Sequence, residues 1–227
     1  MSKGVWYGIA AHVTWGLSPI YWTQLSQVPA PVLIAHRVLW AFAMLGVLLL
    51  LFRNRYRFDP RQLTRRVVGV YVLASVLICT NWLIYVWAVT TGFIIEASLG
   101  YFITPLVSVG LGVLILRERL RPGQWAAVGL ASIGLLYLTA AVGSLPWIAL
   151  VLPATFGLYG LVKKAAPLGA VQGLTAETGL LLLPAAAVLV WGPDGTPPGV
   201  VTGGSGQLLL AGSGVVTVVP LVLFAAS

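Results

Sequence analysis

The sequence predicts an all-α integral membrane protein, a polytopic helix bundle. Three observations carry that prediction. Of the 227 residues, 59% are hydrophobic and 8% charged, and the mean hydropathy is +0.98. A soluble domain carries about 25% charged residues, so this chain cannot cover itself with a water-compatible surface. Apolar segments of roughly 20 residues recur, long enough at about 1.5 Å per residue to cross a ~30 Å hydrocarbon core. The basic residues, finally, collect in alternate breaks between those segments.

Eight segments follow in order. The first, 4–22, lies in "MSKGVWYGIAAHVTWG", where one Lys precedes aromatics and no small-residue cleavage site follows. It reads as a spanning helix rather than a removable signal. Gly16 and Pro19 sit in its middle, either as a kink that serves a gate or as ordinary lipid-facing tolerance of Gly and Pro. The second, 31–52, opens on Pro29 and Pro31 and carries His36 and Arg37. The third (67–89) and fourth (95–116) are joined by "TTGF", and the fifth (123–141) follows "RERLRPG". The sixth (146–164) ends on Lys163 and Lys164, and the seventh (171–191) holds Glu177. The Gly/Pro-rich "GPDGTPPGVVTGGSG" reads as a flexible loop before the eighth, 207–226.

Lys3, Arg53, Arg55, Arg57, Arg61, Arg65, Arg66, Arg117, Arg119, Arg121, Lys163 and Lys164 fall on one side, 12 of the 13 basic residues. Lys and Arg favour cytoplasmic loops, so the amino terminus is expected in the cytoplasm. Net charge +8 would suggest nucleic acid in a soluble protein, but this alternation assigns the charge to membrane orientation, with the lipid bilayer as partner and no nucleic acid. The first five segments end near Val142, so the sixth runs opposite to the first. Two five-helix units of opposite orientation are a transporter signature, and only three helices of the second unit are present. The expected units are 1–142 and 143–227.

Arg37 carries its charge wherever it sits. An ionisable group at that depth costs about 2.5–3.5 kcal/mol on insertion scales. Glu96 and Glu177 are the acids inside or bordering apolar segments, so either is a candidate partner. A buried Arg–Glu pair that locks helices and an anion-attracting or proton-linked group in a transport path are both consistent with this pattern. His36 could titrate near neutrality or serve as a hydrogen-bonded structural residue. Asn81 and Tyr85, four apart, share a face of the third helix, with Trp82 beside them. Glu96, Gly100 and Ile103 share a face of the fourth, with Tyr101 adjacent. Pro105 frees a carbonyl there. Aromatics and an amide around a cavity suit an amphipathic organic solute, whereas Trp22 and Trp87 read as interfacial belt residues.

Several chemistries lack their motifs. The sequence has no Walker A, Cys/His metal cluster, G-x-S-x-G elbow or H-E-x-x-H, so neither an enzyme nor a cofactor is expected. The lone Cys79 forms no intramolecular disulfide.

The stretches "WGLSPIYW", "AHRVLWAF", "NWLIYVWAV", "EASLGYFITPLVSVGLG", "GLTAETGLLLLP" and "GVVTVVPLVLFAAS" closely resemble the RarD group of chloramphenicol-sensitive permeases. That group belongs to the EamA family of the drug/metabolite transporter superfamily. The resemblance implies a ten-helix protein of two inverted five-helix repeats in a bacterial cytoplasmic membrane. It implies a secondary transporter, an exporter of small metabolites or drugs. Trp15, Pro19, His36, Arg37, Asn81, Glu96, Tyr101 and Glu177 are the matched positions, joined from the residue reading by Trp82 and Tyr85 as cavity or gate candidates. Eight helices stand where the resemblance implies ten, so the second repeat reads as truncated, and the expectation is a fragment or shortened frame that does not transport alone. The alternatives are a non-transporting scaffold or regulator, or a non-functional fragment. Substrate, coupling ion, direction and oligomeric state, a homodimer included, stay open.

Overall fold

The computed structural model describes residues 3–53, 64–115, 117, 119–142, 147–192 and 204–225. Arg55, Arg57 and Arg61 in the basic break, and 193–203 of the Gly/Pro-rich loop, lie outside the described residues. The chain forms α1 (Lys3–Thr23), α2 (Ala30–Leu51), α3 (Arg65–Thr90), α4 (Ile94–Leu114), α5 (Pro122–Val142), α6 (Trp147–Lys164), α7 (Ala170–Trp191) and α8 (Gly204–Ala225), with no strand among the described residues. Each expected segment is found, with ends displaced by three residues at most. Five of these helices, α2, α3, α4, α7 and α8, are long and apolar enough to cross a membrane.

Local chemistry sets the ends. Prolines open α2, where a missing amide hydrogen costs nothing. The Thr64 hydroxyl accepts from the Val67 amide and caps α3. Gly92, at φ 95°, makes the tight passage from α3 to α4 that a side chain would strain.

The first four helices pack chiefly on the last three rather than on one another. α2 is embraced by α7 and α8, α3 and α4 lie on α6, and α1 lies on α8. Small residues permit this closeness, as they do where membrane helices meet. A Cβ on Gly100 would stand 3.2 Å from the Leu152 Cβ, and one on Gly214 only 2.7 Å from the Trp40 backbone carbon. The O–H of Tyr21 on α1 donates to the Leu209 carbonyl on α8. Among the described residues, α5 packs mainly against α4. Large apolar side chains such as Leu50, Phe102, Leu136 and Leu183 remain exposed around the perimeter. A belt of that kind is tolerable where the surroundings are hydrocarbon.

Candidate functional site

α1 breaks its own hydrogen-bond ladder at Pro19, which cannot donate to the carbonyl one turn earlier, that of Trp15. The Ser18 hydroxyl repairs the loss by donating to that carbonyl at 2.7 Å. Its one proton is then used, so the Tyr85 O–H, 2.9 Å away, donates to Ser18 Oγ. This stretch of α1 is thereby tied to α3. Asn81, one turn before Tyr85, donates from Nδ2 to the Leu152 carbonyl at 2.8 Å and to Thr155 Oγ1 at 2.9 Å. These bonds tie α3 to α6 as well.

Between the tied helices lies a cavity of about 490 Å³. α1, α2, α3, α4, α6 and α8 all contribute to its wall. Trp15, Pro19, Arg37, Asn81, Trp82, Tyr85 and Tyr101 line it, seven of the residues singled out from the sequence. The Tyr85 and Tyr101 rings meet edge to face at 5.5 Å. Ser18, Thr104, Pro105 and Phe156 also line it.

Arg37 reaches this wall almost fully enclosed, 7% exposed. Its guanidinium carbon lies 4.1 Å from the Trp82 ring centroid and 5.2 Å from that of Trp22. A desolvated cation over an indole gains ~2 kcal/mol. Two indole faces therefore offset a membrane-depth cost of about 2.5–3.5 kcal/mol. Trp22 is thus no belt residue. It is 1% exposed and lines the cavity, because α1 packs on α8 and α3 and the Arg37 side chain of α2 reaches its ring. Only its position, 15 residues before Arg37, was legible in the sequence; the stacking depends on the fold.

Among the described residues, neither Glu96 nor Glu177, the acids expected beside Arg37, forms an ion pair with it. The ion pair found among the described residues joins Lys163 to Glu177 at 2.6 Å. Nε and Nη1 of Arg37 are buried without a hydrogen-bond partner. Glu96 occupies the first turn of α4, half-buried and outside the cavity lining. His36 points elsewhere on α2, half-buried, with Nδ1 lacking a partner.

Glu177 anchors a second polar cluster. Fully buried, it takes the Lys163 ammonium on one carboxylate oxygen and the Tyr159 O–H, at 2.9 Å, on the other. Ser75 donates to the Glu177 backbone carbonyl at 3.2 Å, and the Tyr71 ring lies 5.3 Å from the ammonium. Gly173, one turn before Glu177, makes room for the pair, since a Cβ there would stand 2.6 Å from Lys163 Nζ. Lys163 was read from the sequence as a loop charge. Its position four residues after Tyr159 is the signal that could have placed it on an inward face. Arg37 and Glu177 each lie seven residues after the first residue of a 22-residue helix, α2 and α7.

Residues 2–140 match the model of the EamA-like transporter family. Protein RarD of Streptomyces exfoliatus is 44% identical over 97% of this chain and 70% of its own length. A transporter of Bacillus subtilis, YojE, is 42% identical over 98% of this chain and 76% of its own. Protein RarD of Escherichia coli is 39% identical over 99% and 76%. No solved structure matches the chain.

Proposed function

The chain belongs to the EamA-like transporter family, in its RarD group, and from that premise we propose that it is a secondary transporter of a small organic solute, working by alternating access in the bacterial inner membrane. The observation that carries this is the cavity. It is lined by residues from six helices, walled mainly by aromatic and aliphatic side chains, and fitted with a few convergent polar groups. Its volume falls within the ~300–1,000 Å³ usual for small-molecule sites.

Alternating access needs two interconvertible shapes, which inverted repeats supply. Helix pairing supports such repeats, 1–142 and 143–227. Exchanging α1 with α6, α2 with α7 and α3 with α8 turns the α1–α8 contact into α6–α3 and leaves α2–α7 unchanged, and all three contacts occur. The basic breaks favour a cytoplasmic amino terminus. The Lys163–Glu177 pair then sits toward the cytoplasm and Arg37 toward the opposite face, so the pair would close the cytoplasmic gate while the cavity faces outward. Trp15, Pro19, Asn81, Trp82, Tyr85 and Tyr101 form the solute chamber in this reading; His36 and Glu96 flank it.

A membrane-impermeant maleimide tests the mechanism on Ser98→Cys, a cavity position, in a Cys79→Ser background. Labelling from both faces of oriented vesicles, in proportions that shift when solute is trapped on one side, is the expected result. Labelling from one face only, together with no solute flux, would overturn it. A non-transporting scaffold is the second reading, favoured by the complete pairing of Lys163, Glu177 and Tyr159 between helices.

A further inference from the structure

We propose that the cavity selects a small organic anion, an aromatic carboxylate whose oxygens engage the Arg37 guanidinium while its ring lies among Trp15, Trp82 and Tyr101. This rests on the reading of the cavity as the solute site.

Charge balance is the first argument. Arg37 is enclosed and permanently cationic, yet no acid lines the cavity and none forms an ion pair with it among the described residues. Glu177 already neutralises Lys163. An isolated buried charge is strongly disfavoured unless something pairs with it, and the indoles offset that cost without neutralising it. A solute anion would supply the missing charge.

Hydrogen bonding is the second. Nε and Nη1 are buried donors without partners, and such groups are rare in folded proteins. They lie on different edges of the guanidinium fork and are sealed from water in this structure, so an oxyanion in the cavity meets them only when the Arg37 side chain turns toward it. The Trp82 and Trp22 rings lie against the guanidinium, their centroids 4.1 and 5.2 Å from its carbon, and neither supplies a hydrogen-bond acceptor for it. A planar fork of this kind matches a carboxylate with two parallel N–H···O bonds.

The remainder of the wall sets the shape of the solute. Trp15, Pro19, Ile78, Tyr101 and Phe156 present apolar and aromatic surface, and the polar groups besides Arg37 are hydroxyls, the Asn81 amide and the His12 imidazole. A hydrophilic dianion finds little polar surface to match it, and a cation, which the aromatic rings would attract, is repelled by Arg37. An inside-negative membrane potential would push a bound monoanion outward.

The test uses the 227-residue protein in nanodiscs and three probes that share one ring system: indole-3-acetate, indole-3-acetamide and tryptamine. Calorimetric titration should show the acid binding at least ten-fold more tightly than the amide, with no binding of the amine. Arg37→Gln should reduce the acid's advantage to less than two-fold while the amide still binds as in wild type. Arg37→Lys, which keeps the charge but not the fork, should retain part of the preference. The proposal is overturned if wild type does not bind the acid, if amide or amine binds equally well, or if the preference survives Arg37→Gln. Should Arg37→Gln fail to fold, the wild-type ranking and Arg37→Lys decide alone. Flux in vesicles separates this inference from its premise. Arg37-dependent acid binding without flux removes transport and keeps the anion site. Flux of tryptamine unaffected by Arg37→Gln does the reverse.

Discussion

Lys163→Met leaves the Glu177 carboxylate buried with one hydrogen bond, from Tyr159, and no counter-charge. Removing one partner of a buried pair costs about 3–5 kcal/mol, because the remaining charge is stranded. Glu177→Gln should cost less. The Lys163 side chain retains 21% exposure, and its flexible stem can carry the ammonium toward water; the loss is then mainly one or two hydrogen bonds, about 1–3 kcal/mol. The double variant strands nothing. Its destabilisation should fall short of the sum of the two single losses by at least ~1.5 kcal/mol, within the range found for contacting residues. Reversible unfolding of the four proteins in mixed micelles measures all three quantities. Additive losses within about 0.5 kcal/mol, or a larger loss for Glu177→Gln than for Lys163→Met, would refute the assignment of the pair as a buried, coupled latch.

Further outcomes follow from the same contacts. Gly173→Ala sets a methyl 2.6 Å from Lys163 Nζ, so it should abolish most of the Lys163–Glu177 coupling in that cycle; an undiminished coupling would show that the ammonium shifts freely. Gly214→Ala drives a methyl into the Trp40 backbone, 2.7 Å away, and should destabilise the protein by about 1–3 kcal/mol. Gly160→Ala meets nothing within 4 Å, and its melting temperature should match or exceed that of wild type. Asn81→Ala removes two bonds between α3 and α6; bonds across membrane helices average about 0.6 kcal/mol and reach ~1.7, so a loss of ~1–2 kcal/mol in the same micelle assay is expected. A neutral result would mean those bonds are replaced once the amide is gone.

Helix number, helix limits and the membrane setting were legible in the sequence because each depends on local properties. A run of apolar residues about 20 long must be helical in hydrocarbon, where no water satisfies the backbone; the eight expected segments became α1–α8 with ends close to those expected, and five of them are long and apolar enough to cross a membrane. The cavity residues were partly legible for a related reason. Amides, aromatics and a guanidinium inside an apolar run are anomalies in the chain itself, and Trp15, Pro19, Arg37, Asn81, Trp82, Tyr85 and Tyr101 do converge. Partnership was not legible. Arg37 and Glu177 look complementary on paper, yet Glu177 meets Lys163 from the neighbouring α6, and Arg37 meets two indoles. Both outcomes turn on how α2, α3, α6 and α7 are rotated and spaced, and those angles come from glycine contacts and interhelical bonds far apart in the chain. Trp22 shows the same limit: its burial is set by the packing of α1 on α8 and α3 and by the Arg37 side chain, and nothing within its own helix specifies it.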